Sequence, residues 1–144
     1  GSDKFEYKKA WLDALLKDCE AWLAQYPKLA LVGDYNIAPD DRDVHDPKAW
    51  AGQVLCSDDE RGRFNTLLGM GLVDSFRLFE QPEKTFSWWD YRMLGFQKNK
   101  VLRIDHVLLS KPLAERCTAS VIDRAPRKWE KPSDHAPAVA TLSR

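Results

Sequence analysis

The chain has 144 residues, a length typical of one domain with a substantial buried core. Its 22 basic and 22 acidic residues cancel to a formal charge of zero, so any site for a polyanion has to come from a local arrangement of charges. No apolar run approaches the roughly 20 residues of a membrane-spanning helix, and we therefore expect no membrane association. The odd number and wide separation of Cys19, Cys56 and Cys117 predict free thiols in a reducing compartment, hence a cytoplasmic location.

The first predicted helix covers residues 3–26, where apolar residues recur mostly at steps of three and four. We expect its two tryptophans, Trp11 and Trp22, to lie in the core. A second helix is predicted to begin at Ser57, because Glu60 stands three residues later and completes a capping box.

The stretch 29–36 runs from four apolar residues through Gly33 into Asp34, a pattern typical of a buried strand that reaches the edge of a sheet. Asp34 and Asn36 stand two positions apart and would point the same way on an extended chain. Two interpretations are open. The pair belongs to a ligand site at a strand end, or it forms a glycine–aspartate turn with a local side-chain hydrogen bond.

The segment 37–48 contains two prolines and several aspartates and is predicted to be a loop with mostly solvated acids. His45 within it is interpreted as a hydrogen-bonding loop residue, since no second His or Cys stands at metal-ligand spacing. Strands are predicted at residues 85–91, 101–110, 118–123 and 136–142. This order of elements predicts an α/β protein that forms a single domain over residues 1–144.

Asp105 lies within an apolar strand, where an ionised carboxylate is costly unless it is paired. Arg103 on the same face and a histidine elsewhere are equally suitable partners. Asp134 and His135 form a second dense site at the entrance to the last strand, where neighbouring side chains face opposite ways.

Five strings in order along the chain carry a family resemblance. They are LVGDYNIAP (31–39), LVDSFR (72–77), FSWWDYR (86–92), LRIDH (102–106) and KPSDHAP (131–137). Together they resemble the carboxy-terminal half of an exodeoxyribonuclease III, an AP endonuclease of the endonuclease/exonuclease/phosphatase superfamily. The resemblance implies half of a four-layered α/β sandwich, with a mixed, mainly antiparallel sheet and flanking helices.

The resemblance also implies an activity, Mg²⁺-dependent phosphodiester hydrolysis at abasic sites and 3′ ends of duplex DNA, with Mn²⁺ as an alternative ion. By position, Asp34 would hold or deprotonate the attacking water and Asn36 would bind a phosphate oxygen or place that water. Asp105 would orient His135, which would donate to the phosphate. The remaining assignments are Asp134 and Asp34 at the metal, and Trp88 and Arg92 on the DNA.

The family's amino-terminal half, with its principal metal-binding glutamate, has no counterpart in this sequence. We therefore expect the chain alone to be inactive, and to self-associate through the sheet face that the other half would cover. Two alternatives remain open. One is a superfamily enzyme acting on RNA or a small phosphorylated substrate. The other is a non-catalytic nucleic-acid-binding module with a basic face formed by Lys98, Lys100, Arg103, Arg124, Arg127, Lys128 and Lys131.

Overall fold

The computed structural model describes residues 2–53, 55–82, 85–89, 101–123 and 134–143. The helices are α1 (Ser2–Gln25), α2 (Pro47–Trp50), α3 (Asp58–Gly69) and α4 (Lys111–Ala114). The strands are β1 (Ala30–Asp34), β2 (Leu72–Asp74), β3 (Trp88–Trp89), β4 (Val101–Leu102), β5 (Asp105–Ser110), β6 (Cys117–Ile122) and β7 (Ala138–Leu142). Within these ranges, no helix combines the length and the apolar character needed to cross a bilayer.

The sheets are antiparallel throughout the described residues, which confirms the predicted α/β class with mainly antiparallel pairing. The largest has the strand order β1-β5-β2, and β3 pairs with β4 and β6 with β7. The register between β1 and β5 sets Asp34 directly opposite Asp105. The prediction of one domain over residues 1–144 stays a prediction.

Helices α1 and α3 pack together on the largest sheet. Their inward side chains meet Tyr35, Ile37 and Leu108 in one core cluster. The predicted capping box is confirmed, because the Ser57 and Glu60 side chains each bond the other residue's backbone at the start of α3.

The prediction that Trp11 and Trp22 lie in the core is wrong, since they are 47% and 36% exposed. The inward face of α1 runs through Leu12 and Cys19, and each tryptophan is displaced by roughly 60–100° around the helix from this line. The prediction that β1 is buried is also wrong. It lies at one edge of the described sheet, and Val32 is 64% exposed.

The single strand predicted over residues 101–110 is interrupted at Arg103 and Ile104. The Arg103 amide donates to the Asp43 carbonyl oxygen at 2.8 Å, and the Ile104 amide donates to Ser87 Oγ at 3.0 Å. These two bonds replace the strand-to-strand hydrogen bonds at Arg103 and Ile104. The chain therefore pairs with β3 as β4 before the interruption and with β1 as β5 after it.

A buried charge network fixes the loop that precedes α2. The Arg103 guanidinium donates to Asp43 Oδ1 at 2.6 Å and to Asp74 Oδ2 at 2.7 Å, and Arg77 also pairs with Asp43. Arg103 and Asp43 are almost fully buried, so for Asp43 the prediction of a solvated loop acid is wrong. The pKa of Asp74 lies below its ordinary value, because Arg103 outweighs the opposing effect of burial.

His106 is buried beside this network as a neutral ring. Its Nδ1 lies 3.1 Å from Arg103 Nη1, which can only donate, so the Nε2–H bonds the Ile37 carbonyl oxygen at 2.8 Å. Burial and the Arg103 charge lower the pKa of His106 to about 4.

We expect Arg103→Met to lower the free energy of unfolding by about 3–5 kcal/mol, because two carboxylates then lose their buried cation. Arg63→Met is the matched control. It removes an exposed ion pair with Asp13 (2.8 Å) and should leave the free energy of unfolding nearly unchanged. Urea denaturation of both variants measures the difference, and equal losses would contradict the stabilising role of the network.

The depressed pKa of His106 predicts a loss of stability at mildly acidic pH. Its contribution is complete above pH 6.5 and disappears as the pH falls towards about 4, because the unfolded chain binds the proton that the folded chain excludes. The free energy of unfolding should fall by about 3 kcal/mol in total over this range. Urea denaturation at a series of pH values between 7 and 4 gives the free energy of unfolding as a function of pH. This free energy should fall less steeply with decreasing pH in His106→Phe than in the wild type, and equal slopes would exclude His106 as the cause.

Candidate active site

Asp34 and Asn36 are brought together by a turn at the end of β1. The Asn36 amide donates to Asp34 Oδ1 at 2.8 Å, and Asn36 has a φ of 54°, a left-handed conformation that asparagine tolerates. The local side-chain hydrogen bond that was one of the two interpretations is therefore present. The turn, and not the alternation of side chains along a strand, sets the Asp34 carboxylate next to Asn36.

Asp105 pairs with His135 and not with Arg103. The distance between Asp105 Oδ2 and His135 Nδ1 is 2.8 Å, while the Arg103 guanidinium is engaged by Asp43 and Asp74. The other imidazole nitrogen, Nε2, lies 3.7 Å from Asp34 Oδ2. His135 therefore joins the carboxylates of β1 and β5, although it stands 30 positions beyond Asp105 in the sequence.

Ser87 holds the backbone around this pair. Its buried Oγ accepts the amides of Ile104 and Asp105 at 3.0 and 3.1 Å, and its carbonyl oxygen accepts the Ala136 amide at 2.8 Å. These bonds fix the segments that carry Asp105 and His135 relative to one another.

Asp134 and Trp88 lie on the open side of His135. Asp134 Oδ1 is 3.9 Å from His135 Nε2, and Asp134 Oδ2 accepts a hydrogen bond from the Trp88 indole N–H at 3.3 Å. Trp88 also forms an isolated backbone bridge with His135. Asp34 and Asp134 thus approach the same imidazole nitrogen.

The carboxylates favour the protonated form of His135. Partial burial alone lowers the pKa of His135, but the hydrogen bond and charge of Asp105, with the charges of Asp34 and Asp134, raise it above its ordinary value. Burial raises the pKa of Asp105, and the hydrogen bonds from His135 and Ser87 oppose that shift without cancelling it. The arrangement suits an imidazolium that donates from Nε2 to an anion.

Among the residues that the structure describes, Asp34, Asp105 and His135 form a group that could hold a metal ion, since their ligand atoms all lie within 4.8 Å of one another. Asp105 and His135 already bond each other, so Asp34 is the carboxylate of this group that remains open to a hard divalent cation. Asp134 lies outside the group, with its Oδ1 3.9 Å from His135 Nε2. Oxygen ligands of this kind fit Mg²⁺ and Mn²⁺.

A groove of about 1290 Å³ opens beside these residues. Its lining includes Asp34, Asn36, Trp88 and Asp134 and, from the beginning of α1, Lys4, Phe5, Tyr7, Lys8 and Trp11. The groove is large enough to admit a nucleotide-sized ligand against the acidic cluster.

The structure brings together most of the residues singled out in the sequence: Asp34, Asn36, Trp88, Asp105, Asp134 and His135. Arg92 lies outside the described residues, and its assignment to the DNA stays a prediction. His45 lies apart from the metal-ligating group, and its ring packs against Phe86 at a centroid distance of 6.1 Å.

Sequence reasoning missed Ser87, and it missed the contact that Lys8 makes with the Asn36 carbonyl oxygen and the Glu60 carboxylate. Ser87 stands inside one of the family strings, and Glu60 was identified only as a helix cap, so the signal for each was present but incomplete. Lys8 is one of several lysines on α1, and no spacing rule separates it from its neighbours.

Comparison with known families and proteins adds two kinds of similarity. The model of the endonuclease/exonuclease/phosphatase family matches residues 2–135. Exodeoxyribonuclease III of Haemophilus influenzae is 45% identical over 116 residues, which are 76% of this chain and 43% of the relative. DNA repair nuclease APEX1 of Danio rerio is 31% identical over 144 residues, 99% of this chain and 45% of the relative. The chain therefore spans about half the length of the curated relatives it matches.

Solved structures confirm the predicted fold. A 3′ phosphatase from Neisseria bound to a product DNA hairpin superposes with a TM-score of 0.91 at 40% identity, over 98% of this chain and 55% of that one. An AP endonuclease from Archaeoglobus fulgidus gives a TM-score of 0.83 at 34% identity with the same coverage. The chain thus has the fold of about half of an AP endonuclease.

The contacts of His135 predict that its pKa, measured by NMR titration without added divalent ions, lies above 6.5. Asp105→Asn should lower this pKa, because the hydrogen-bonded carboxylate that favours the imidazolium is lost. Asp18→Asn, an exposed change on α1, is the control and should leave the value unchanged. A His135 pKa that is insensitive to Asp105→Asn would contradict the pairing.

Proposed function

This chain belongs to the endonuclease/exonuclease/phosphatase family, and from that premise we propose that it supplies the catalytic residues of an exodeoxyribonuclease III-type DNA repair nuclease. The proposed reaction is divalent-metal-dependent phosphodiester hydrolysis at abasic sites and 3′ ends of duplex DNA. We further propose that residues 1–144 act as one domain, and that the protein works in the cytoplasm. The cysteines, free in the structure, support that location.

The observation that carries the proposal is the position of His135. Its Nδ1 is bonded to Asp105 at 2.8 Å, and its Nε2 faces Asp34 at 3.7 Å and Asp134 at 3.9 Å. An imidazole backed by one carboxylate and opening towards two others is suited to a phosphate bound between a cation and an acid–base pair.

Each residue takes a role that its contacts support. Asp34 accepts the proton of the attacking water through Oδ2, since Oδ1 already holds the Asn36 amide. The Asn36 side chain orients the water or a phosphate oxygen. His135 donates from Nε2 to a non-bridging oxygen as negative charge develops on the phosphate, and Asp105 keeps the ring oriented.

A Mg²⁺ ion would be held by the carboxylates of Asp34 and Asp134, and Mn²⁺ would fit the same oxygen donors. When bound, it supplies charge neutralisation for the phosphate and the leaving oxygen. The negative charges that gather around His135 Nε2 are the structural reason to expect a cation there.

The proposed DNA contacts lie on the same side of the site. Trp88 borders the groove next to Asp134 and offers an aromatic face to the sugar or gap of an abasic nucleotide. We propose Arg92 as a backbone contact on the basis of the string 86–92 alone. Self-association through an exposed sheet face remains a proposal. Exposed apolar residues on two sheets support it: Val32 on β1, and the cross-strand pair Val121 and Val139 on β6 and β7.

A second candidate is removal of a 3′ phosphate from DNA, which the structural similarity to a 3′ phosphatase favours. Hydrolysis of RNA or of a small phosphorylated substrate would use the same residues. The hypothesis of a non-catalytic nucleic-acid-binding module is weakened, because Arg103 is buried between Asp43 and Asp74 and cannot belong to a basic face. The other members of that face lie outside the described residues.

The test compares three substrates with the full-length gene product: an abasic duplex, a duplex with a 3′ phosphate, and RNA of the same sequence. We expect Mg²⁺-dependent cleavage of the abasic duplex. Asp34→Asn and His135→Ala should each lower kcat by about 10²–10⁴-fold, since each removes a proton-transfer or charge-stabilising group. Chelation should abolish the reaction, and Mg²⁺ should restore it.

Asp18→Asn, which changes the charge of an exposed residue on α1, is the matched control and should retain wild-type kcat. Turnover of the 3′-phosphate duplex alone would establish the second candidate. DNA binding with full activity in Asp34→Asn would overturn the assignment of this cluster as the active site.

A further inference from the structure

Lys8 lies on α1, far from the acidic cluster in sequence, yet its ammonium reaches the catalytic loop. Nζ donates to the backbone carbonyl oxygen of Asn36 and pairs with the carboxylate of Glu60. The lysine side chain is 17% exposed, whereas the Glu60 side chain is fully buried. A cation with a buried counter-ion and a backbone acceptor is fixed in position, unlike an exposed lysine.

Glu60 is itself held by the segment before α3. Its Oε1 accepts the Leu55 amide at 2.8 Å, the Ser57 hydroxyl at 2.7 Å and the Ser57 amide at 3.3 Å, while Oε2 pairs with Lys8. Both carboxylate oxygens are thus engaged, so its charge is compensated without any contact to solvent. The pair joins α1, the start of α3 and the loop after β1.

Asn36 is the exposed residue of a loop whose neighbours are buried. Tyr35 and Ile37 are almost fully buried, and their backbone groups bond Ile104 and His106. Asn36 has a left-handed φ of 54°, its amide is held by Asp34, and its carbonyl oxygen is held by Lys8. The orientation of its peptide groups, and hence of its side chain, depends on these two contacts.

We propose that Lys8, anchored by Glu60, is a positioning residue. It fixes the Asn36 backbone and thereby directs the side-chain amide of Asn36 at the reacting phosphate. This inference rests on the proposed function, because Asn36 acquires its role there. Lys8 also lines the groove, but its role in this inference is exerted through the Asn36 backbone and not through a contact with the substrate. Misplacement of a catalytic group by about 1 Å is enough to lower turnover by up to about 10²-fold.

The kinetic test uses the full-length gene product on the abasic duplex. We expect Lys8→Met to lower kcat by about 10-fold or more with KM within about twofold of wild type, because ground-state binding is untouched. Lys8→Arg retains a cationic donor and should recover kcat to within about threefold of wild type.

Lys9→Met is the matched control, since Lys9 is the next residue on the same helix and pairs with exposed Glu6 at 2.9 Å. It should leave kcat and KM within about twofold of wild type. A rise in KM for Lys8→Met with unchanged kcat would mean that Lys8 binds the substrate directly, and would overturn the proposal.

The double variant Lys8→Met/Glu60→Gln separates positioning from stability. Lys8→Met alone leaves a buried carboxylate without its cation and lowers the denaturation midpoint. The second substitution removes that charge and should recover the midpoint in part, while kcat stays at the level of Lys8→Met. Recovery of kcat together with the midpoint would show that Lys8 only stabilises the fold, and would overturn the proposal.

Amide hydrogen exchange of Asn36 provides a readout that needs no activity. Exchange should be faster in Lys8→Met than in wild type or Lys9→Met, because the loop that bonds the amide to Asp34 is released. If no substrate is cleaved but this exchange increases, the proposed function fails while the role of Lys8 in holding the loop stands. If cleavage is normal and exchange is unchanged in Lys8→Met, the inference about Lys8 fails alone.

Discussion

The site depends on the buried hydroxyl and backbone of Ser87. Its amide donates to Leu102, its Oγ accepts two amides at the start of β5, and its carbonyl oxygen accepts the Ala136 amide. Three segments that are distant in sequence therefore meet at one small residue. A larger or apolar side chain would leave buried amides without acceptors, which is costly, so the geometry of the Asp105–His135 pair follows from the hydrogen-bonding capacity of Ser87.

Charge is divided between two neighbouring sets of side chains. Arg103 donates to Asp43 and Asp74 and has no remaining donor directed at Asp105, although it stands only two positions away. Asp105 is thus left to His135, on the side that opens to the groove. The buried set pairs two arginines with two aspartates, while the set around His135 retains an excess of carboxylates that favours protonation of the ring and a cation beside it.

Much of this arrangement could be predicted from the sequence. The capping box at Ser57, the strands and the residues of the acidic cluster all follow from local patterns or from the family strings. The choice of side-chain partners could not be predicted. Whether Asp105 meets an arginine or a histidine, and whether Asp43 is solvated or buried, depends on contacts across 30 and 60 positions. Periodicity likewise identified α1, but it did not separate inward Leu12 from exposed Trp11.

The two interpretations of the stretch around Asp34 turn out not to exclude each other. One carboxylate oxygen, Oδ1, makes the local hydrogen bond that defines the turn, and the other, Oδ2, faces His135. The structural bond holds the carboxylate at a fixed angle and leaves Oδ2 directed into the site. A short turn motif, common in proteins for purely structural reasons, therefore acquires a chemical role when a second segment of the chain delivers an imidazole to the oxygen that the turn does not use.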